Sequence, residues 1–170
     1  MKEVLKSYKY RIEPSVEQKI LLDKHFGSVR WIYNHFLNER KTQYLQTKKS
    51  DNYVTQANKL TKLKKEENTG WLKDINSQTL QQTLKNLEAS FLNFFRGNTE
   101  FPKFKTKRSK NSFKLPQHIT VEENKIFVPK FNDGIKLIKD REFKGEIRQC
   151  TFSRDCRNKY FVSTLIATTH

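Results

Sequence analysis

The residues that decide the fold are Gly27–Arg40, with the sequence GSVRWIYNHFLNER. Their apolar side chains recur at intervals of three and four, which places them along one stripe of an α-helix. These apolar residues are Val29, Ile32, Tyr33, Phe36 and Leu37. Gly27 can end a preceding helix, and Ser28 can accept a hydrogen bond from the free amides that begin a new one. The stretch therefore predicts two helices that meet at Gly27, the second reaching about residue 46.

A strand and a short helix are predicted upstream of this stretch. In residues 4–12, VLKSYKYRI, one face is aromatic and the other basic, which is typical of a half-buried strand. Ser15 and Gln18 then form a capping box that begins a helix reaching Phe26. The two helices resemble a helix-turn-helix that contacts DNA, but amphipathic helices joined at a glycine also pack together in helical proteins of every function.

The charge balance favours a polyanionic partner. The chain of 170 residues holds 34 Lys and Arg against 18 Asp and Glu, a formal net charge of +16. Self-repulsion of that size disfavours a compact state unless a polyanion neutralises it, so nucleic acid is the expected partner and an anionic membrane surface the alternative. The sequence has no apolar run of the roughly 20 residues that span a bilayer and no signal-peptide core, so no membrane partner and a cytoplasmic location are expected.

Two further helices are predicted in the middle of the chain, over residues 53–65 and 77–96. The second has leucine and phenylalanine at intervals of three and four, and Gly97 ends it. Its opposite face is rich in amides and carries Gln78, Gln81, Gln82, Lys85 and Asn86. Such a face is normally solvated, but amide side chains also suit bidentate contacts with adenine edges.

The composition changes after Gly97. Residues 101–114, FPKFKTKRSKNSFK, hold six cations, three phenylalanines and no anion. Cations neutralise phosphates and aromatic faces stack on unpaired bases, so this segment favours phosphate binding. The alternative is a solvated basic linker whose Phe101 and Phe104 pack into the core.

The last third of the chain has the period of short strands separated by turns. The predicted strands are 119–121, 125–128, 135–138, 147–152 and 160–167. Short strands at this spacing indicate a small barrel or sandwich, with which the N-terminal strand can pair. The helices are then an insertion, and the fold class is α+β.

Motifs typical of catalytic sites are missing from the sequence. There is no Gly-rich phosphate loop, no nucleophile elbow and no acidic residue inside an apolar strand, so no metal-dependent centre and no cofactor are expected. The four histidines are scattered without the spacing of metal ligands, and the two cysteines are expected to be reduced thiols.

Several segments, taken in order, resemble the start of TnpB-type (OrfB) proteins, the transposon-encoded RNA-guided DNA nucleases of insertion sequences. They are Tyr8–Ile12 with Pro14 and Gln18, Gly27–Leu37, Trp71–Leu72, Leu84–Leu87, Phe94–Arg96, Phe101–Lys105 and Lys159–Ser163. The resemblance implies a wedge-like β-barrel of residues 1–13 and 112–170, with a helical recognition lobe of residues 14–97 inserted and a basic linker at 98–111.

The resemblance also implies a role in recognition. Family members continue into a nuclease domain with three acidic metal ligands and a zinc-binding element, none of which falls within these residues. What carries over is the binding of guide RNA and DNA, as part of transposition and DNA recombination. The candidate base-contacting residues are Tyr53, Gln78, Gln81, Gln117 and His118, and the candidate phosphate contacts are Lys103, Lys105, Lys107 and Arg108. Arg30 and Lys110 are further candidate nucleic-acid-binding residues.

Three hypotheses follow from these observations. The first is a recognition module for guide RNA and DNA that is not itself catalytic. The second is a fragment of an endonuclease whose nuclease half lies elsewhere. The third is a stand-alone helix-turn-helix regulator that binds duplex DNA without RNA.

Overall fold

A computed structural model describes residues 2–169 of the chain. The N-terminal strand β1 (Glu3–Glu13) is followed by the long helix α1 (Val16–Thr47), α2 (Tyr53–Leu63), a 3-10 helix (Glu67–Asp74) and α3 (Ser77–Phe95). Six strands follow: β2 (Asn111–Leu115), β3 (Thr120–Glu122), β4 (Lys125–Phe127), β5 (Ile135–Ile138), β6 (Glu146–Arg154) and β7 (Tyr160–Thr169). The predicted α+β class is confirmed.

The seven strands form one curled, antiparallel half-barrel sheet in the order β2-β6-β7-β1-β5-β4-β3. Strand β1 lies at its centre, pairing with β7 along Glu3–Ile12 and with β5 at its C-terminal end. The expected pairing of the N-terminal strand with the C-terminal strands is therefore confirmed. The alternation of residues 4–12 buries Tyr10 and Ile12. Strand β2 was not predicted; it lies inside the basic run and buries Phe113 and Leu115.

The predicted helix break at Gly27 is wrong, because α1 is a single helix of 32 residues. The capping box that begins it is confirmed: the Ser15 N–H donates to Gln18 Oε1 (2.9 Å) and the Gln18 N–H donates to Ser15 Oγ (3.2 Å). The apolar stripes before and after Gly27 are in phase on one helix, where Leu22, Phe26, Val29, Tyr33 and Phe36 are all buried. Burial of a large apolar side chain stabilises by about 1.5–3 kcal/mol, which outweighs the cost of about 1 kcal/mol for a glycine in a helix interior.

The chain forms two compact units, residues 27–109 and residues 1–26 with 110–170. The first is built around a core of α1, α2 and α3 that includes Phe36, Leu60, Leu84 and Phe91. In the second, the first turns of α1 pack on the sheet, where Asp23 accepts from the Tyr160 hydroxyl (2.9 Å) and pairs with Arg154 (2.6 Å). The boundaries of wedge, recognition lobe and linker given above stay a prediction.

Candidate nucleic-acid interface

Residues 101–109, called the basic segment below, form no helix or β-strand and belong to the 27–109 unit. Its first residue, Phe101, is half-buried and packs edge-on against Phe91 and Phe94, with ring centroids 5.4 and 5.1 Å apart. Phe104 is 45% exposed, and the Lys41 ammonium lies 5.7 Å from the centre of its ring. Of the two phenylalanines, Phe101 thus anchors the segment to the helical core, whereas Phe104 presents aromatic surface to solvent.

Asn34 of α1 holds the middle of this segment. Its Nδ2 donates to the carbonyl of Lys105 (2.8 Å), and the N–H of Lys105 donates to its Oδ1 (2.8 Å). The Lys105 ammonium lies 4.4 Å from the centre of the Tyr33 ring, a favourable cation–π geometry. Removal of water from this ammonium lowers the pKa of Lys105.

A hydrogen-bonded turn presents the next two cations. The Ser109 N–H donates to the Thr106 carbonyl (3.0 Å), and the Thr106 N–H donates to Ser109 Oγ (3.0 Å). The Arg108 N–H donates to Thr106 Oγ1 (3.2 Å), which closes the turn around Lys107 and Arg108. Both side chains are exposed. The turn thus displays two neighbouring exposed cations, the kind of group that contacts phosphates.

The other predicted nucleic-acid-binding cations differ in environment. Lys103 is exposed and pairs with Glu100 (3.3 Å), a surface pair that contributes little to stability and is readily exchanged for a phosphate. Lys110 is exposed and belongs to the other compact unit. Arg30 lines an open pocket on α1.

The structure brings three of the predicted base-contacting residues to one side of the helical unit. Gln78 and Gln81 lie three residues apart on α3, on the same face as Lys85, whose ammonium lies 5.7 Å from the centre of the Tyr53 ring. Gln81 is exposed, and the buried Oε1 of Gln78 has no hydrogen-bond partner among the described residues. Tyr53 is half-buried, and its N–H donates to Glu88 Oε1 (3.0 Å).

The remaining two candidates lie in the unit that contains the sheet. Gln117 and His118 are exposed in the loop between β2 and β3, and His118 has a positive φ of 65°. The structure thus keeps both side chains accessible.

Two site features were missed by sequence reasoning. Nothing in the sequence singles out Asn34, which anchors Lys105, 71 residues further along the chain. The second feature is the ring of His35, which stacks on Trp31 with centroids 4.8 Å apart. The i, i+4 spacing of Trp31 and His35 was the available signal for the second feature.

Among residues 2–169, no group of three or more His, Cys, Asp or Glu side chains is arranged to hold a metal ion. Within the same described range, no helix has the length and apolar character needed to cross a membrane.

Comparison with known proteins identifies a domain at the N-terminus. Residues 1–49 match the family HTH_OrfB_IS605, described as a helix-turn-helix domain. Those residues include β1 and the whole of α1, so this family domain is here built on one uninterrupted helix.

Two relatives carry the name "Putative RNA-guided DNA endonuclease". InsQ of Escherichia coli K12 is 31% identical over 161 residues, 94% of this chain and 40% of InsQ. The Streptomyces pristinaespiralis protein is 31% identical over 169 residues, 97% of this chain and 42% of the relative. The virulence protein VsdF of Salmonella dublin is 34% identical over 116 residues, 63% of this chain and 98% of VsdF.

These matches define a class, the transposon-associated proteins that carry an OrfB-type helix-turn-helix domain. More particularly, the chain belongs to the TnpB/OrfB family of insertion-sequence proteins. It spans about two fifths of the length of the two relatives named as RNA-guided DNA endonucleases.

Proposed function

We propose that these residues are the nucleic-acid recognition module of a TnpB-like protein, which binds guide RNA and DNA in the cytoplasm without cutting them itself. The observation that carries the proposal is the exposed cationic turn at residues 106–109, held in place through Asn34 of α1. The net charge of +16 and the printed names of InsQ and its Streptomyces relative support it.

The two kinds of candidate residue take different parts in this function. The candidate cations contact phosphates and position the nucleic acid without distinguishing its sequence. These are Arg30, Lys103, Lys105, Lys107, Arg108 and Lys110. The amide face of α3, together with Tyr53, Gln117 and His118, supplies groups that suit base edges.

Strand cleavage belongs in this proposal to a nuclease half, present on the same or a second polypeptide. The support is the coverage of the two endonuclease relatives, of which this chain matches about 40%. We expect the purified chain to bind DNA and structured RNA but to leave plasmid DNA uncut in the presence of Mg²⁺. Cleavage that co-purifies with the chain would contradict this part of the proposal.

The experiment that tests recognition is the salt dependence of binding to structured RNA and to duplex DNA. Each phosphate contact contributes about 0.7–0.9 to the slope of log K against log salt concentration. Replacing Lys107 and Arg108 with glutamine should therefore lower that slope by about 1.5 and weaken binding at low salt. The matched control replaces Lys62 and Lys65, two exposed cations of the same unit, and removes the same net charge.

The two pairs of substitutions separate a specific site from a general charge effect. The proposal requires that the first pair lowers the slope and that the control pair changes it much less. Equal effects would mean that the turn is one cationic surface among many. No affinity of the unmodified chain for either nucleic acid at low salt would overturn the proposed function itself.

A stand-alone regulator of duplex DNA is the second candidate, favoured by the family description of residues 1–49 as a helix-turn-helix domain. Competition distinguishes the two candidates. Structured RNA should displace duplex DNA from a recognition module for both, but should compete poorly for the site of a duplex-specific regulator.

A further inference from the structure

An open pocket lies on α1 beside the residues that hold the basic segment. It has a volume of about 360 Å³ and is lined by Gly27, Arg30, Trp31, Asn34 and His35, all within one compact unit. Pockets of roughly 300–1,000 Å³ are the size that proteins use for small ligands and cofactors. A single nucleotide fits within this range.

One wall of the pocket is aromatic and fixed in orientation. The rings of Trp31 and His35 are nearly parallel, with an interplanar angle of 12° and centroids 4.8 Å apart. Trp71 meets Trp31 edge-on at 5.5 Å, and Phe36 meets His35 edge-on at 4.9 Å. Both wall residues nevertheless remain half-exposed. Each of these two rings has one face covered by the other, so an unpaired base that joins the stack contacts the outer face of one ring.

Gly27 leaves the pocket open. It lies inside a helix of 32 residues, where glycine is the least favourable residue other than proline. A Cβ built at this position would meet nothing closer than Nη2 of Arg30, at 3.9 Å. Packing of the fold therefore does not require glycine here, whereas a larger side chain would enter the space of the pocket.

Arg30 adds a permanent positive charge to the same pocket. A guanidinium group suits a phosphate because its N–H groups match the phosphate oxygens in pairs. We propose that this pocket binds one unpaired nucleotide, with the base extending the Trp31–His35 stack and the phosphate on Arg30. This inference rests on the proposed function, since it takes nucleic acid to be the ligand.

The chain carries its own reporter for this pocket. It has two tryptophans, Trp31 in the wall and Trp71 against it, so tryptophan fluorescence reports on this site. We expect a short single-stranded RNA to quench that fluorescence in a saturable manner. An oligonucleotide of the same length without bases should bind more weakly and quench much less, because it offers phosphates but no ring.

Gly27→Leu is the decisive variant, because leucine favours a helix and fills the pocket. It should abolish the quenching and lower the affinity for single-stranded RNA by about 5- to 150-fold, the range that loss of one base stack implies. Asn38→Leu is the matched control: it adds the same side chain to an exposed position of the same helix, outside the pocket. Circular dichroism verifies folding, and His35→Ala removes part of the wall should the glycine variant fail to fold.

The outcomes separate this inference from the proposed function. RNA binding that gives no quenching, or quenching that survives both Gly27→Leu and His35→Ala, would overturn the pocket and leave recognition intact. Absence of any nucleic-acid binding by fluorescence anisotropy would overturn both. A titration with free mononucleotides distinguishes a pocket for a diffusible nucleotide from one that requires a base within a strand, since only the former saturates with the monomer.

Discussion

The side-chain amide of Asn34 is hydrogen-bonded to both backbone groups of Lys105, at 2.8 Å each. The amide makes the two hydrogen bonds that a neighbouring β-strand would make to Lys105. It thereby holds in position a segment that has no regular structure of its own. Lys105 is followed directly by the turn that displays Lys107 and Arg108. The position of the cations therefore depends on one uncharged side chain of α1.

Replacement of Asn34 by alanine should release this segment. We expect a loss of about 1 kcal/mol in the free energy of unfolding, because the two hydrogen bonds are solvent-accessible. Trypsin should cleave faster after Lys103, Lys105, Lys107 and Arg108, since proteolysis needs a locally mobile chain. Limited proteolysis followed by mass spectrometry measures this. Asn38→Ala, on the exposed face of the same helix, is the control and should leave the cleavage rate unchanged.

A buried arginine connects the helices of the same unit. Arg40 is 1% exposed; its Nε donates to Gln56 Oε1 (2.7 Å) and its Nη2 donates to Glu88 Oε1 (3.4 Å). The guanidinium also lies over the ring of Phe91, at 5.1 Å from its centre. Burial lowers the pKa of Arg40, and the Glu88 carboxylate opposes that shift. The helical unit therefore depends on a carboxylate that compensates a buried charge.

Replacement of Glu88 by alanine should destabilise the chain by about 2 kcal/mol. The cost of leaving a fully buried charge unpaired is about 3–5 kcal/mol, and the partial exposure of Glu88 reduces it through solvent screening. Urea unfolding followed by circular dichroism measures the change. Glu66→Ala, which removes an exposed carboxylate of the same unit, should cost less than about 0.5 kcal/mol. Similar costs for the two variants would show that the carboxylate does not compensate Arg40.

Periodicity predicted the helices, but the prediction that one of them ends at Gly27 was wrong. A glycine followed by a serine is a local signal for a helix boundary, and local signals are worth about 1 kcal/mol. The continuous burial of Leu22, Phe26 and Val29 is a tertiary effect that exceeds it. In the sequence, only the common phase of the two apolar stripes indicates that a single helix runs through Gly27.

Strand β2 was not predicted from the sequence for a different reason. Phe113 and Leu115 alternate with polar neighbours, as a half-buried strand requires, but the alternation is short and lies at the end of a run of cations. The pairing of β2 with β6 along Asn111–Leu115 decides its structure, and such a partner 35 to 43 residues away leaves no local trace. The cationic composition of the basic segment is evident from the sequence. Its attachment to Asn34 is not, because that contact also joins residues far apart in the chain.

The two cysteines should differ sharply in reactivity. Both are free thiols; Cys150 is buried in β6 and Cys156 is exposed in the following turn. Burial raises the pKa of the Cys150 thiol, so the reactive thiolate is scarce there. With a disulfide reagent such as Ellman's reagent, we expect one thiol to react quickly and the second only after denaturation. Cys156→Ser should remove the fast reaction, and a fast reaction that persists would contradict the burial of Cys150.

His25 should make the stability of the chain depend on pH. Its ring packs against Phe113 and Phe131, with centroids 4.9 and 5.6 Å away, and its Nδ1 lies 2.9 Å from the Leu21 carbonyl. Burial is the largest cause that lowers the pKa of His25 from 6.5, and the nearby cations Lys24 and Lys130 also lower it. The folded state thus favours the neutral ring.

The direction of the effect follows from proton linkage. Between the lowered pKa of the folded state and the unfolded value of 6.5, the unfolded chain binds more protons than the folded chain. The free energy of unfolding should therefore fall as the pH drops below about 7, by at most about 1.4 kcal/mol per pH unit from this group. Urea unfolding at several pH values measures the slope. His25→Phe keeps an aromatic ring between Phe113 and Phe131 but cannot be protonated, so its slope in this window should be smaller. Carboxylates titrate alike in both chains, and equal slopes would mean that His25 is not the group responsible.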